Sequence, residues 1–114
     1  MLCARAGADA IGMIFHAPSQ RHVSIETAAA IVAALPPYVT PVGVFVDADA
    51  DQILDVCGRV GLGCVQLHGR ETPDLAAALD RLAVIKSLRV DPATLAQDLD
   101  IWRRAFTPSC GVLA

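Results

Sequence analysis

Gln66 and His68 stand two residues apart at the end of an apolar run, GCVQLHG, residues 63–69. In a strand, residues two apart point to the same face. A glutamine amide both donates and accepts hydrogen bonds. An imidazole does the same, or titrates near neutrality. Together they suit a ligand that carries hydroxyl, carboxylate or phosphate groups. A buried polar pair that satisfies itself and the backbone is the plainer reading. The position at a strand end, followed by the turn residue Gly69, puts a site on an equal footing with that reading. Arg21, in the loop HAPSQRHVS, can grip a carboxylate or phosphate with two parallel hydrogen bonds. Taken alone it reads as a surface arginine. Lys86 lies inside the apolar run AVIKSLRV, where an ammonium needs a partner. It either pairs with a carboxylate in a barrel interior or points to solvent from an edge strand.

Other chemistries are excluded by spacing. Asp47, Asp49 and Asp51 alternate like the start of a calcium loop, but the glycine at the sixth position and the glutamate at the twelfth are missing. No G-x-G-x-x-G, phosphate-binding P-loop or G-x-S-x-G occurs, so a nucleotide cofactor is not indicated. The cysteines, Cys3, Cys57, Cys64 and Cys110, form no C-x-x-C pair and read as small buried hydrophobes with reduced thiols.

The elements that must position these residues alternate. Apolar runs at 10–15, 41–47, 64–69 and 83–90 predict strands, and 107–114 begins a fifth. Helical spacing falls between them, at 24–35, 50–61, 73–82 and 91–106. Ser24, Asp49 or Asp47, and Thr72 are the expected N-caps, and Pro73 takes the first helical position. In the second of these helices Ile53, Leu54, Val56, Cys57 and Val60 are expected on one side. Strands spaced this way, with helices between, make βαβ units and a parallel sheet. The polar residues then gather at the strands' C-terminal ends: His16, Asp47, Gln66 with His68, and Lys86 to Arg89.

The expected fold class is α/β, with residues 1–114 a single domain of about five parallel strands. Five strands could stand alone as a doubly wound sheet. The chain instead opens in what reads as the tail of a helix and closes on the apolar GVLA. The expectation is therefore a partial (β/α)8 barrel, truncated at both ends. A net charge of -3 with no basic cluster excludes nucleic acid as an expected partner. No apolar run approaches the ~20 residues that span a membrane, and the N-terminus is not a signal peptide. A cytoplasmic location is the expectation.

Read together, AGADAIGMIF, PSQRHVS, VGVFVDAD, VQLHGRETP and VIKSLRV, in this order, resemble the phosphoribosylanthranilate isomerase family of tryptophan biosynthesis. The resemblance implies a (β/α)8 barrel and an Amadori rearrangement of N-(5-phosphoribosyl)anthranilate, with no cofactor or metal. It implies a base, the cysteine of a K-x-C-G motif on the first strand, and an acid, an aspartate ending the sixth. It also implies phosphate-binding backbone N–H groups after the seventh and eighth strands. Laid on that pattern, the chain starts in the first helix and stops inside the sixth strand. Base, acid and phosphate loops fall outside it, and Cys3 is not the base. No residue of the chain is then catalytic, and the chain alone is expected to be inactive. Arg21 matches the arginine that meets the anthranilate end, with Gln20 in place of the usual proline. Gln66 and His68 match the strand-four motif that lines the active site.

Two alternatives stay open. One is a non-catalytic α/β module that binds a phosphorylated or carboxylated metabolite. The other is a different phosphosugar-isomerase barrel. The open edges of a partial barrel also predict self-association or aggregation.

Overall fold

The computed structural model describes Gly7, residues 9–104 and, for the backbone alone, residues 110–113. The expected first helix and Cys3 lie outside the described residues. Five parallel strands form one sheet in sequential order: β1 (Ala10–Ile14), β2 (Thr40–Phe45), β3 (Cys64–Leu67), β4 (Ala83–Ser87) and β5 (Cys110–Leu113). Helices α1 (Ile25–Ala34), α2 (Ala50–Val60), α3 (Pro73–Ala78) and α4 (Leu95–Arg104) fill the intervals. No helix among the described residues is long and apolar enough to cross a membrane.

Local chemistry sets the helix ends. Ser24 accepts from the Thr27 N–H and starts α1. Asp49, not Asp47, starts α2. Its carboxylate accepts from the Gln52 N–H at 2.8 Å and the Asp49 N–H donates in return to Gln52 Oε1, a complete capping box. Gly61 ends α2 in the left-handed region at φ 89°, donating its N–H to Cys57. Pro73 opens α3 as expected, but the Thr72 side chain makes no capping bond, and α3 stops at Ala78. Leu79 and Leu82 are nevertheless buried, on the turn that follows. Helix α4 begins four residues later than the sequence suggests, because Asp91 first closes a turn. Its side chain accepts from the Ala93 N–H and its carbonyl from the Thr94 and Leu95 N–H groups.

The register fixes two faces. Met13, Gly43, Val65 and Val84 align across the sheet, and Phe45, Leu67 and Lys86 form the next row. This face packs on Ala28, Ile53, Cys57, Val60, Leu79 and Trp102 of the helical layer and its turns, and makes the core. Phe15 stacks on Phe45 with ring centroids 5.4 Å apart. Leu54, expected on the buried side of α2, is exposed: the buried stripe is Ile53, Cys57 and Val60, at i, i+4 and i+7. The opposite face carries the row Ile14, Val44, Gln66 and Ile85, each half-buried.

Candidate active site

Gln66 and His68 share the face away from the helices, as their spacing requires. Both line a cavity of about 410 Å³ with Gly12, Ile14, Ser19 and Val44. Gln66 is half-buried, and its Nε2 donates to Ser87 Oγ at 2.6 Å, so two strands fix the amide together. His68 is exposed at the mouth. Its backbone N–H still donates to the Phe45 carbonyl at 2.9 Å, which ties the end of β3 to β2. His68 also lines a second cavity of about 500 Å³, with Asp47, Arg70, Ser87 and Arg89. His68 is shared by the two cavities: the larger is rimmed by the charged and polar Asp47, Arg70, Ser87 and Arg89, while the smaller is mostly apolar, with Gln66, His16 and Ser19 as its polar groups. That lining suits a ligand with anionic and hydroxyl groups.

The loop after β1 carries Arg21. Two turn hydrogen bonds shape it, Ser19 N–H to the His16 carbonyl and His22 N–H to the Ser19 carbonyl. Ser19 Oγ accepts the Arg21 N–H at 3.2 Å. Val23 N–H returns to the Ile14 carbonyl, so the loop folds back over the end of β1. His16 and Ser19 line the smaller cavity. Arg21 is exposed and lines neither cavity.

Lys86 pairs with a carboxylate, as one reading expected, but it faces neither a barrel interior nor solvent. It lies on the helix-covered face, its side chain 3% exposed against 1% for Glu71, and the two pair at 2.8 Å. Trp102 of α4 covers the ammonium, with its ring centroid 5.6 Å away. The reason is register: Lys86 continues the row of Phe45 and Leu67 and must enter the core. Burial alone would push the Glu71 carboxyl up. The Lys86 hydrogen bond, the Asp47 N–H and the Lys86 charge together outweigh it and hold the carboxyl below its ordinary value.

Sequence reasoning missed Glu71, Ser87 and the role of Asp47. The signal for Glu71 was present, since a lysine in a buried strand demands a carboxylate. Asp47 is the sole non-glycine residue with positive φ among those described, at 54°. An aspartate tolerates that conformation because its short carboxylate bonds locally. Here Asp47 Oδ1 accepts the Arg70 N–H at 2.7 Å. Cys57 is buried and Cys64 half-buried. Burial, and secondarily Cys64, push the Cys57 thiol up to about 11. No group of three His, Cys, Asp or Glu residues that could hold a metal occurs among the described residues.

The family model for N-(5'phosphoribosyl)anthranilate isomerase matches residues 1–106. A curated relative, the N-(5'-phosphoribosyl)anthranilate isomerase of Geobacter metallireducens, is 41% identical over 105 residues, covering 92% of this chain and 52% of that protein. The crystal structure of phosphoribosyl anthranilate isomerase from Thermotoga maritima superposes with a TM-score of 0.84 at 40% identity. The match covers 90% of this chain and 51% of that one. A second crystal structure of the isomerase holds reduced 1-(o-carboxyphenylamino)-1-deoxyribulose 5-phosphate. It superposes with a TM-score of 0.83 at 39% identity, covering 90% of this chain and 54% of that one. The chain spans about half the length of the curated relatives it matches. The parallel sheet is thus a partial (β/α) barrel, and the chain belongs to the N-(5'-phosphoribosyl)anthranilate isomerase family.

Proposed function

We propose that the chain carries the substrate-holding strands of a phosphoribosylanthranilate isomerase, which converts N-(5-phosphoribosyl)anthranilate to 1-(2-carboxyphenylamino)-1-deoxyribulose 5-phosphate. The observation that carries this is the joint lining of one cavity by Gln66 and His68 at the sheet's C-terminal edge, in a chain that belongs to this family. The Gln66 amide and the His68 imidazole hydrogen-bond the sugar portion. Arg21 meets the anthranilate carboxylate from the loop after β1. The rearrangement needs a proton donor at the ring oxygen and a base at the sugar C2. On the family pattern the resemblance implies, neither group is among the residues matched here, and we assign both roles to the rest of the isomerase. We place the reaction in the cytoplasm.

The test is a graft. Residues 10–104 replace the matching segment of the Thermotoga maritima isomerase, and turnover is followed. Retained turnover that falls at least tenfold in Arg21→Ala is the expected result. A folded graft without turnover would sink the proposal. The isolated 114-residue chain is expected to show no rate above background. Among the described residues β1 and β5 each pair with one other strand only, and β1 is further covered at Ile14 alone, by a bridge to His22, so self-association through those edges follows. Sedimentation that stays monomeric across a hundredfold concentration range would contradict that last point.

A further inference from the structure

We propose that Glu71 and Lys86 are positioning residues, whose buried ion pair holds the 68–70 turn, and with it His68, at the mouth of the site. The inference deepens the isomerase reading and rests on it for the ligand. The geometry comes from five hydrogen bonds. Glu71 Oε2 accepts the Asp47 N–H at 2.8 Å, which captures the end of β2. Glu71 Oε1 accepts the Gly69 N–H at 2.9 Å and the Lys86 ammonium at 2.8 Å. The ammonium also donates to the Gly69 carbonyl at 2.6 Å. Asp47 Oδ1 closes the circuit on the Arg70 N–H at 2.7 Å.

Both polar groups of Gly69 are therefore held by the same ion pair, and the next N–H is held by a residue that the pair itself fixes. The ends of β2, β3 and β4 are joined in one network at the level where His68 lines both cavities. An ion pair that served stability alone could be exchanged for a neutral pair of similar volume, often without loss. This one does more. A carboxylate offers two acceptor oxygens and no donor, so it can receive two backbone N–H groups and an ammonium at once. A glutamine in its place presents an NH₂ where the oxygen accepted an N–H. Two donors then face each other, and one side of the turn is released.

The test compares the unmodified chain with Glu71→Gln/Lys86→Met, which removes both charges and keeps the volume. Three quantities are read: the unfolding midpoint, the Kd for reduced 1-(o-carboxyphenylamino)-1-deoxyribulose 5-phosphate, and the His68 ring NMR signal without ligand. The expected result is a cooperative transition, a Kd weakened at least tenfold, and a His68 signal that shifts or splits. A double variant that folds, binds within twofold of the unmodified chain and keeps its His68 signal overturns the proposal. If the double variant does not fold, Glu71→Gln alone is read by the same criteria. If the unmodified chain does not bind the probe, the isomerase reading of the site fails. The ligand-free His68 signal then decides the positioning role alone: a changed signal supports it and an unchanged one overturns it.

Discussion

Gly69→Ala should be among the most damaging single-methyl additions to the chain. A Cβ at Gly69 would lie 2.5 Å from Asp47 Oδ1, 2.8 Å from its Cγ and 2.9 Å from its backbone nitrogen. The carboxylate could swing away, since Asp47 is exposed, but it would abandon the Arg70 N–H. The backbone nitrogen cannot swing, because Glu71 holds it. Forced overpacking costs about 1–3 kcal/mol. A lost hydrogen bond to a charged group costs ~1.5–3 kcal/mol, here at the low end because Asp47 meets water. Alanine restricts the unfolded chain and returns ~0.4–1 kcal/mol. The net is a loss of about 1.5–4 kcal/mol. In urea, with a slope on the order of 1.5 kcal/mol per molar, the midpoint should fall by roughly 1–2.7 M. Gly63→Ala is the control. A Cβ there meets nothing within 4 Å, so its midpoint should stay within about 0.5 M of the original chain. Both variants are compared at one fixed chain concentration. Equal midpoints for Gly69→Ala and the original chain would refute the account of the turn.

Asp49→Ala removes the capping-box acceptor of α2 and should cost about 1 kcal/mol, read as a lower urea midpoint, while Asp51→Ala at the next turn position should cost less. Glu71 has a lowered carboxyl pKa when folded. Its stabilisation is complete above its ordinary value of 4.5 and is lost as the pH falls from there through the lowered folded value. Glu71→Gln should therefore flatten the acid limb of stability against pH. An unchanged limb would show that other carboxylates dominate it. Cys57, with its thiol pushed up to about 11, should react with an aromatic disulfide reagent at pH 8 only as fast as the chain opens. Labelling at the rate of a free thiol in native buffer would contradict its burial.

The alternation of strands and helices was legible because the strands are short apolar runs, as parallel strands with both faces shielded are, and capped helical segments separate them. The shared face of Gln66 and His68 was legible because strand periodicity permits no other arrangement. Lys86 was not. Periodicity places it two residues from Val84, hence on the same buried face, but its partner Glu71 comes from a loop fifteen residues earlier. Nothing local in the sequence joins the two. Asp47 was hidden for the same reason, since its carboxylate bonds a backbone group 23 residues away. Leu54 was misplaced because hydrophobicity alone cannot locate the edge of a buried stripe. The capping of α2 by Asp49 was one of two options in the sequence, and Gln52 three residues on decided it.

The most direct measurement is a titration of the isotope-labelled chain with reduced 1-(o-carboxyphenylamino)-1-deoxyribulose 5-phosphate, followed by NMR at the side chains of Gln66 and His68. Saturable shifts at both residues, with affinity weakened at least tenfold in Arg21→Ala, are the predicted result. Shifts confined to the helical face, or none at millimolar ligand, would contradict the assignment of this sheet edge as the substrate-holding part of the isomerase.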